Sequence, residues 1–136
     1  MSFIKQRLKE YLLKENNEFL TLLNNLNANQ SDKKNIFVYS LNNSKIFFKL
    51  LSNKNIEIDL IETHSDNRGA GEATSILKNF LKNTDNLGFN VELIVAPRDK
   101  STDTKKLAEF YKKNGFDFKF FNGFESDFEM IRRKRK

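Results

Sequence analysis

Apolar residues recur along this chain with two different periods, and the change of period separates predicted helices from predicted strands. Across residues 4–26 they return every three to four positions, which is the spacing of one helix face. This pattern predicts N-terminal helices, with the polar Glu15-Asn16-Asn17 as a candidate division between two of them. The polar stretch 27–35 that follows predicts a loop.

Shorter segments rich in β-branched and aromatic residues come next, separated by Asn-rich turn signals. They predict three strands, at 36–41, 45–51 and 56–63. Because side chains alternate between the two faces of a strand, the third strand is expected to divide its residues evenly. One face is predicted to carry Ile56, Ile58 and Leu60, and the other Glu57, Asp59 and Ile61.

The second half of the chain alternates helical and extended segments. A helix predicted from residue 73 ends at Gly88, and a strand at 91–96 stops at Pro97. Another helix, capped by Thr102 or Asp103, ends at Gly115 before closing strands at 116–121 and 127–132. The strand–helix–strand unit at 56–96 implies a parallel pair joined by a right-handed crossover.

These elements together predict an α/β fold in which a central mixed β-sheet has helices on both faces. The length of 136 residues fits one domain. We therefore expect a single domain over 1–136, with N-terminal helices in 1–30, a sheet with its helices in 36–133, and a basic tail at 134–136.

Composition excludes several classes of site and partner. The chain has no cysteine, so disulfides, thiolate metal sites and thiol nucleophiles are excluded, and we expect no metal. No apolar run approaches the ~18 residues that a membrane span needs, so we expect a cytoplasmic protein without membrane contact. The net charge of +6 and the run at 132–136 favour phosphate-bearing partners, among which nucleic acid, an acidic surface and a phosphorylated cofactor stay open. A solvated tail is the plain alternative.

The segment Arg68-Gly69-Ala70-Gly71-Glu72-Ala73 is the most informative for chemistry, because it follows a predicted strand and opens a predicted helix. The first turn of a helix has unpaired N–H groups and a positive dipole end, so it binds anions. Glycines let the backbone approach a phosphate closely, and Arg68 adds a positive charge. The segment is not a Walker loop, because no Gly-Lys-Ser/Thr follows it, and Thr74 stands where a dinucleotide fingerprint needs its third glycine.

At this point the sequence resembles the GNAT superfamily of acetyl-CoA-dependent N-acetyltransferases. The segment 61–73 is similar to the family's strand and pyrophosphate loop, and 91–97 to the strand that follows. Residues 107–116 resemble the family's second helix motif, Leu-x-x-Phe-Tyr-x-x-x-Gly-Phe. The resemblance covers 36–133 and implies a GNAT-like fold, an acetyltransferase activity and acetyl-CoA as the acetyl donor.

The resemblance also implies roles for individual residues. Backbone groups of Ile61, Glu62 and Thr63 should pair with the pantetheine arm of acetyl-CoA. Backbone amides should cradle its pyrophosphate, and these belong to Arg68, Gly69, Ala70, Gly71, Glu72 and Ala73. Thr104 stands where many members have a cofactor-binding Asn, and Tyr111 matches the tyrosine that protonates the departing thiolate. Glu57, eleven residues before Arg68, falls at the position of a general base.

Alternatives stay open for these residues and for the acceptor. Glu57 reads equally well as a surface carboxylate, and Tyr111 as a core aromatic residue. The acceptor is a small-molecule or protein amine, and the chain is a monomer or a homodimer. The alternative function is a GNAT-fold protein that binds nucleic acid through the basic C-terminus or modifies a nucleic-acid-linked amine.

Overall fold

The computed structural model describes residues 17–63, 71–95 and 104–133. Three helices occur in these ranges: α1 (Asn17–Leu26), α2 (Glu72–Asn86) and α3 (Thr104–Lys113). The seven strands are β1 (Asn29–Gln30), β2 (Phe37–Leu41), β3 (Ser44–Ser52), β4 (Asn55–Thr63), β5 (Asn90–Ile94), β6 (Asp117–Phe121) and β7 (Phe124–Arg132).

The strands form one sheet in the order β1-β2-β3-β4-β5-β7-β6. Among the neighbouring strands of this sheet, β4 and β5 are parallel, and all the other pairs are antiparallel. Helix α2 connects the two parallel strands, as the spacing of residues 56–96 requires. The predictions of a mixed sheet and of a parallel pair across this unit are confirmed. The short strand β1 lies where a loop was predicted, because two residues carry no periodicity that a sequence could reveal.

The core lies on one face of the sheet and is rich in aromatic rings. Phe19 of α1 packs edge-on against Phe37 and Phe48, with ring centroids 5.5 Å and 6.2 Å away, and Phe80 of α2 lies 5.0 Å from Phe48. Helix α3 joins the same core through Tyr111, and Lys112 lies over the ring of Phe118. In the register, Phe118 pairs with the buried Met130, which pairs in turn with the buried Leu93.

All three described helices therefore pack on the same side of the sheet. The predicted N-terminal helix that precedes Glu15 lies outside the described residues. The shared side of α2 and α3 has a topological reason. Units β4-α2-β5 and β5-α3-β6 both advance across the sheet in the same direction, and right-handed crossovers of one direction place their helices on one face.

An extra residue in β4 changes which side chains face the core. Phe48 pairs with Ile58 and Phe47 with Leu60, so Asp59 has no partner in β3 and forms a β-bulge. Beyond it the alternation is reversed, because Ile61 now pairs with the buried Ile46 and Leu60 shares the opposite face with Glu57. The predicted division of β4 between two faces is therefore wrong after Ile58.

The last two strands form a tighter hairpin than predicted. Strand β7 begins at Phe124, three residues earlier than expected, so only Asn122 and Gly123 connect it to β6. Both have positive φ, of 52° and 84°, which is the conformation of a two-residue hairpin turn. The Asn-Gly pair was a readable signal for this turn, and it was overlooked.

The stability of the fold should depend strongly on Phe48. This ring is fully buried and contacts three other aromatic rings, so Phe48→Ala should lower the free energy of unfolding by roughly 3–5 kcal/mol. Phe47→Ala is the matched control. Phe47 is the chain neighbour of Phe48, lies on the opposite face of the sheet and is only partly buried, so its loss should cost about 1 kcal/mol. Urea denaturation measures both, and equal losses would contradict the one-sided core.

Candidate functional site

The parallel strands β4 and β5 separate part of the way along their length. Their register runs from Asn55 opposite Asn90 to Ile58 opposite Leu93, and it ends there. Strand β4 continues through Thr63, paired only with β3. The pairing stops next to the bulged residue Asp59. Beyond it, this edge of β4 has no strand partner among the described residues, and we call this stretch the gap between β4 and β5.

The edge of β4 that faces this gap contains Ile61, Glu62 and Thr63, the three residues predicted to pair with a pantetheine arm. Each pairs with β3 on its other side, opposite Ile46, Lys45 and Ser44 respectively. Toward β5 the sheet provides them with no partner among the described residues. An unpaired strand edge accepts an extended ligand as an added strand. The bulge also places the side chain of Glu62 on the same face as that of Glu57, whereas regular alternation along β4 would place the two on opposite faces.

Helix α2 begins at the same end of the sheet. Its other end lies near the start of β4, where Nζ of Lys54 donates to the carbonyl oxygen of Leu87 over 3.2 Å. Gly71 is the N-cap with φ of 81°, and its carbonyl accepts the first helical hydrogen bond from Ser75 at 3.0 Å. The side chain of the N-cap residue provides no partner for the N–H groups of the first turn, and such groups at a helix start suit an anion.

Several predicted cofactor residues cannot be assigned a geometry. Arg68, Gly69 and Ala70 lie outside the described residues, while Gly71, Glu72 and Ala73 form the helix start. Thr104 is the first residue of α3, and its side chain also lies outside the description. Oε2 of Glu72 is buried without a hydrogen-bond partner among the described residues. Because this side chain is itself negative, only the backbone of Glu72 suits a phosphate.

Tyr111 lies in the core on α3, with its ring 5.3 Å from that of Phe110 and 5.6 Å from that of Phe116. Burial raises the pKa of its hydroxyl to about 12, because the phenolate would lose the stabilisation of water. At neutral pH the hydroxyl therefore retains its proton. A group in this state can donate a proton, and it is unsuited to accept one.

Glu57 belongs to a row of charges across the face of the sheet that the described helices leave open. Its Oε2 lies 3.2 Å from Nζ of Lys49, its cross-strand neighbour. Glu92 stands beside Glu57 in the parallel register and forms an ion pair with Lys119 of β6. Opposite charges on neighbouring strands stabilise a sheet modestly. Glu57 is thus a partly exposed, ion-paired carboxylate two residues before the bulge.

The structure thus brings some of the predicted residues together and leaves others apart. The open edge of β4 and the start of α2 lie at one end of the sheet, with Glu57 just before the gap. Tyr111 is buried among core rings, and no distance to the gap follows from its contacts. Sequence reasoning missed the bulge at Asp59 and the ion pairs of Glu57 and Glu92, whose partners are on other strands.

In 17–63, 71–95 and 104–133 there is no group of three or more acidic or histidine side chains placed to hold a metal ion. None of the helices in these ranges combines the length and apolar character needed to cross a membrane.

The fold resembles that of several solved structures. The anti-CRISPR protein AcrVA5 aligns over 69% of this chain and 94% of its own, with a TM-score of 0.58 and 19% identity. Ard1 from Thermoplasma volcanium aligns over 87% of this chain and 78% of its own, with a TM-score of 0.56 and 21% identity. A GNAT family acetyltransferase from Elizabethkingia anophelis, solved with acetyl-CoA bound, aligns over 72% and 74%, with a TM-score of 0.53 and 13% identity.

Comparison of the sequence with protein-family models and with curated proteins finds no match. At such low identities, structural similarity establishes the fold and not the chemistry. The chain therefore has the GNAT fold, as predicted, and its activity has to be argued from its own residues.

The buried hydroxyl of Tyr111 should make the fold sensitive to alkali. The folded state favours the neutral hydroxyl, so its contribution is intact below pH 10, the ordinary tyrosine value, and is lost as the pH rises through about 12. Over that interval the free energy of unfolding should fall by about 2–3 kcal/mol more in the unmodified protein than in Tyr111→Phe. Denaturant titrations across this pH range test the expectation, and parallel pH profiles would contradict it.

Proposed function

We propose that this protein is an N-acetyltransferase that transfers the acetyl group of acetyl-CoA to a primary amine. One observation carries the proposal: an unpaired strand edge and an open helix start occur at the same end of the sheet. The edge at Ile61–Thr63 offers backbone groups to a pantetheine arm, and the helix start at Gly71 offers N–H groups to a pyrophosphate. A GNAT acetyltransferase of similar fold binds acetyl-CoA.

In the proposed reaction the amine nitrogen bonds to the acetyl carbonyl carbon, and the bond from that carbon to sulfur breaks. Glu57 takes the proton that the nitrogen loses, directly or through a water. Tyr111, whose hydroxyl is protonated at neutral pH, supplies a proton to the sulfur. The role of Glu57 as the base is supported by its position just before the gap and by the ion pair with Lys49, which orients its carboxylate. The acceptor must present a neutral amine, which a base makes more abundant.

The alternative of a nucleic-acid-binding protein was based on the net charge and the basic C-terminal run. Arg132, the first residue of that run, forms an ion pair with Asp85 of α2. Its Nε also donates to the carbonyl oxygen of Asn114 over 2.9 Å. This arginine therefore joins β7 to the ends of two helices, which weakens the case for the run as a nucleic-acid site.

Acetyl-CoA binding should depend on Gly71. A glutamate there would occupy a left-handed position and place a negative charge at the helix start, so Gly71→Glu should weaken acetyl-CoA binding at least tenfold in a calorimetric titration. Gly88→Glu is the matched control. Gly88 follows the other end of the same helix, has φ of +74° and is equally open, so the backbone strain is similar. No binding of acetyl-CoA by the unmodified protein would refute the proposal.

The two catalytic assignments have separate signatures in steady-state kinetics. Tyr111→Phe should lower kcat by about 10²–10⁴-fold, with acetyl-CoA affinity retained, because it removes only the proton donor. Glu57→Gln should lower kcat and flatten the acidic limb of the pH–rate profile. Glu92→Gln, which removes the neighbouring ion-paired carboxylate, is its control and should keep that limb. If the acidic limb of the pH–rate profile is unchanged in Glu57→Gln, the base is a group other than Glu57.

A further inference from the structure

The β6–β7 hairpin exposes four phenylalanine side chains. Phe120, Phe121, Phe124 and Phe128 are between 49% and 78% exposed. Six other phenylalanines of the described residues are almost completely buried. Burying such a ring is worth roughly 1.5–3 kcal/mol, so these four contribute little to the fold. Several large apolar side chains exposed on one hairpin mark an interaction site.

The exposed rings occupy both faces of the hairpin. Phe121 pairs with Phe124 next to the turn, whereas Phe120, on the opposite face, pairs with Glu125. Phe128 lies in an irregular stretch of β7, residues 126–129, that faces only Lys119 of β6. A small amine would leave most of this surface in water. A macromolecule is needed to cover it.

The hairpin projects past the end of β5, beside the gap between β4 and β5. Glu129 pairs with Ile94, the last residue of β5, and the N–H of Val95 donates to the carbonyl oxygen of Phe128 over 2.7 Å. Residues 119–128 therefore extend beyond the strand at the end where the gap opens. Ile94, also exposed, continues the apolar surface toward the gap.

The charge of the hairpin is opposite to that of the whole chain. Residues 117–129 contain four carboxylates and one lysine, in a chain of net charge +6. That lysine, Lys119, is engaged with Glu92 and lies 4.0 Å from Glu129. Glu125 and Asp127 are exposed and have no ion-pair partner among the described residues. A polyanion would be repelled by this surface, and a cation would be attracted to it.

We propose that the β6–β7 hairpin docks a basic protein segment and that this segment carries the amine to be acetylated. The inference rests on the proposed function for the reaction and on the hairpin alone for the docking. Exposed aromatic rings supply the apolar anchors of protein interfaces, and unpaired carboxylates select lysine-rich sequence. The acceptor is therefore a protein lysine in a cationic segment. It is neither a free small amine nor an amine carried on nucleic acid.

The test measures docking directly, without acetyl transfer. The probe is a fluorescent peptide with the repeat Lys-Leu-Lys-Gly, and its affinity is read by anisotropy over a series of salt concentrations. Phe120→Ser/Phe124→Ser should weaken binding about tenfold or more, which corresponds to the loss of an interface anchor. Glu125→Gln/Asp127→Asn should weaken it at low salt and reduce its dependence on salt. Leu51→Ser is the control. Leu51 is an exposed apolar residue near the C-terminal end of β3, so this variant should bind the peptide as the unmodified protein does.

Unchanged peptide affinity in both hairpin variants would overturn the proposal. So would a single-stranded oligonucleotide that binds the unmodified protein and loses affinity in the same variants, because the partner would then be an anion. Acetyl-CoA titrations are run on every variant and should be unaffected by the hairpin changes. If the unmodified protein does not bind acetyl-CoA, the acetyltransferase proposal fails, whereas the peptide affinities still decide whether the hairpin docks a basic segment.

Discussion

The separation of β4 from β5 is the constraint on which the candidate site depends. The pairing ends at Ile58 and Leu93, one residue before the end of β5, while β4 continues to Thr63. The bulged residue Asp59 lies at this point, and beyond it β4 stays paired with β3. The backbone of residues 60–63 is thereby held on one side and has no strand partner on the other among the described residues. Such an edge is already in the conformation that an added ligand strand requires, so little ordering entropy is lost on binding.

The same bulge distributes side chains between a packed face and a polar face. Before Asp59 the isoleucines of β4 enter the core, and after it Ile61 takes over that role. The described helices all lie over this core, and the opposite face carries the charged row that includes Glu57 and Glu92. No described helix covers this row.

The sequence predicted elements well where local pattern decides them, and failed where distant partners do. Hydrophobic period located the helices and six of the seven strands, and the strand–helix–strand spacing gave the parallel pair. The bulge was invisible because Ile56-Glu57-Ile58-Asp59-Leu60 alternates perfectly as written, and only pairing with β3 shows the extra residue. Helix α2 was predicted from residue 73, and it begins at Glu72 with Gly71 as its N-cap. The ion pair of Glu57 was not, because Lys49 meets it only through the register of β3.

The phenylalanines show why the pattern alone does not separate folding from binding. Strand β3 and the β6–β7 hairpin both contain phenylalanines beside polar residues, yet Phe48 is buried and Phe124 is largely exposed. Phe48 packs against Phe19 of α1 and Phe80 of α2, whereas Phe124 lies beyond the end of β5, next to the turn of the hairpin. The hairpin joins the core through Phe118 and leaves four rings exposed, and these rings are the surface for which we propose an external partner. Its position beside the gap makes the acceptor the partner whose binding would best use both surfaces.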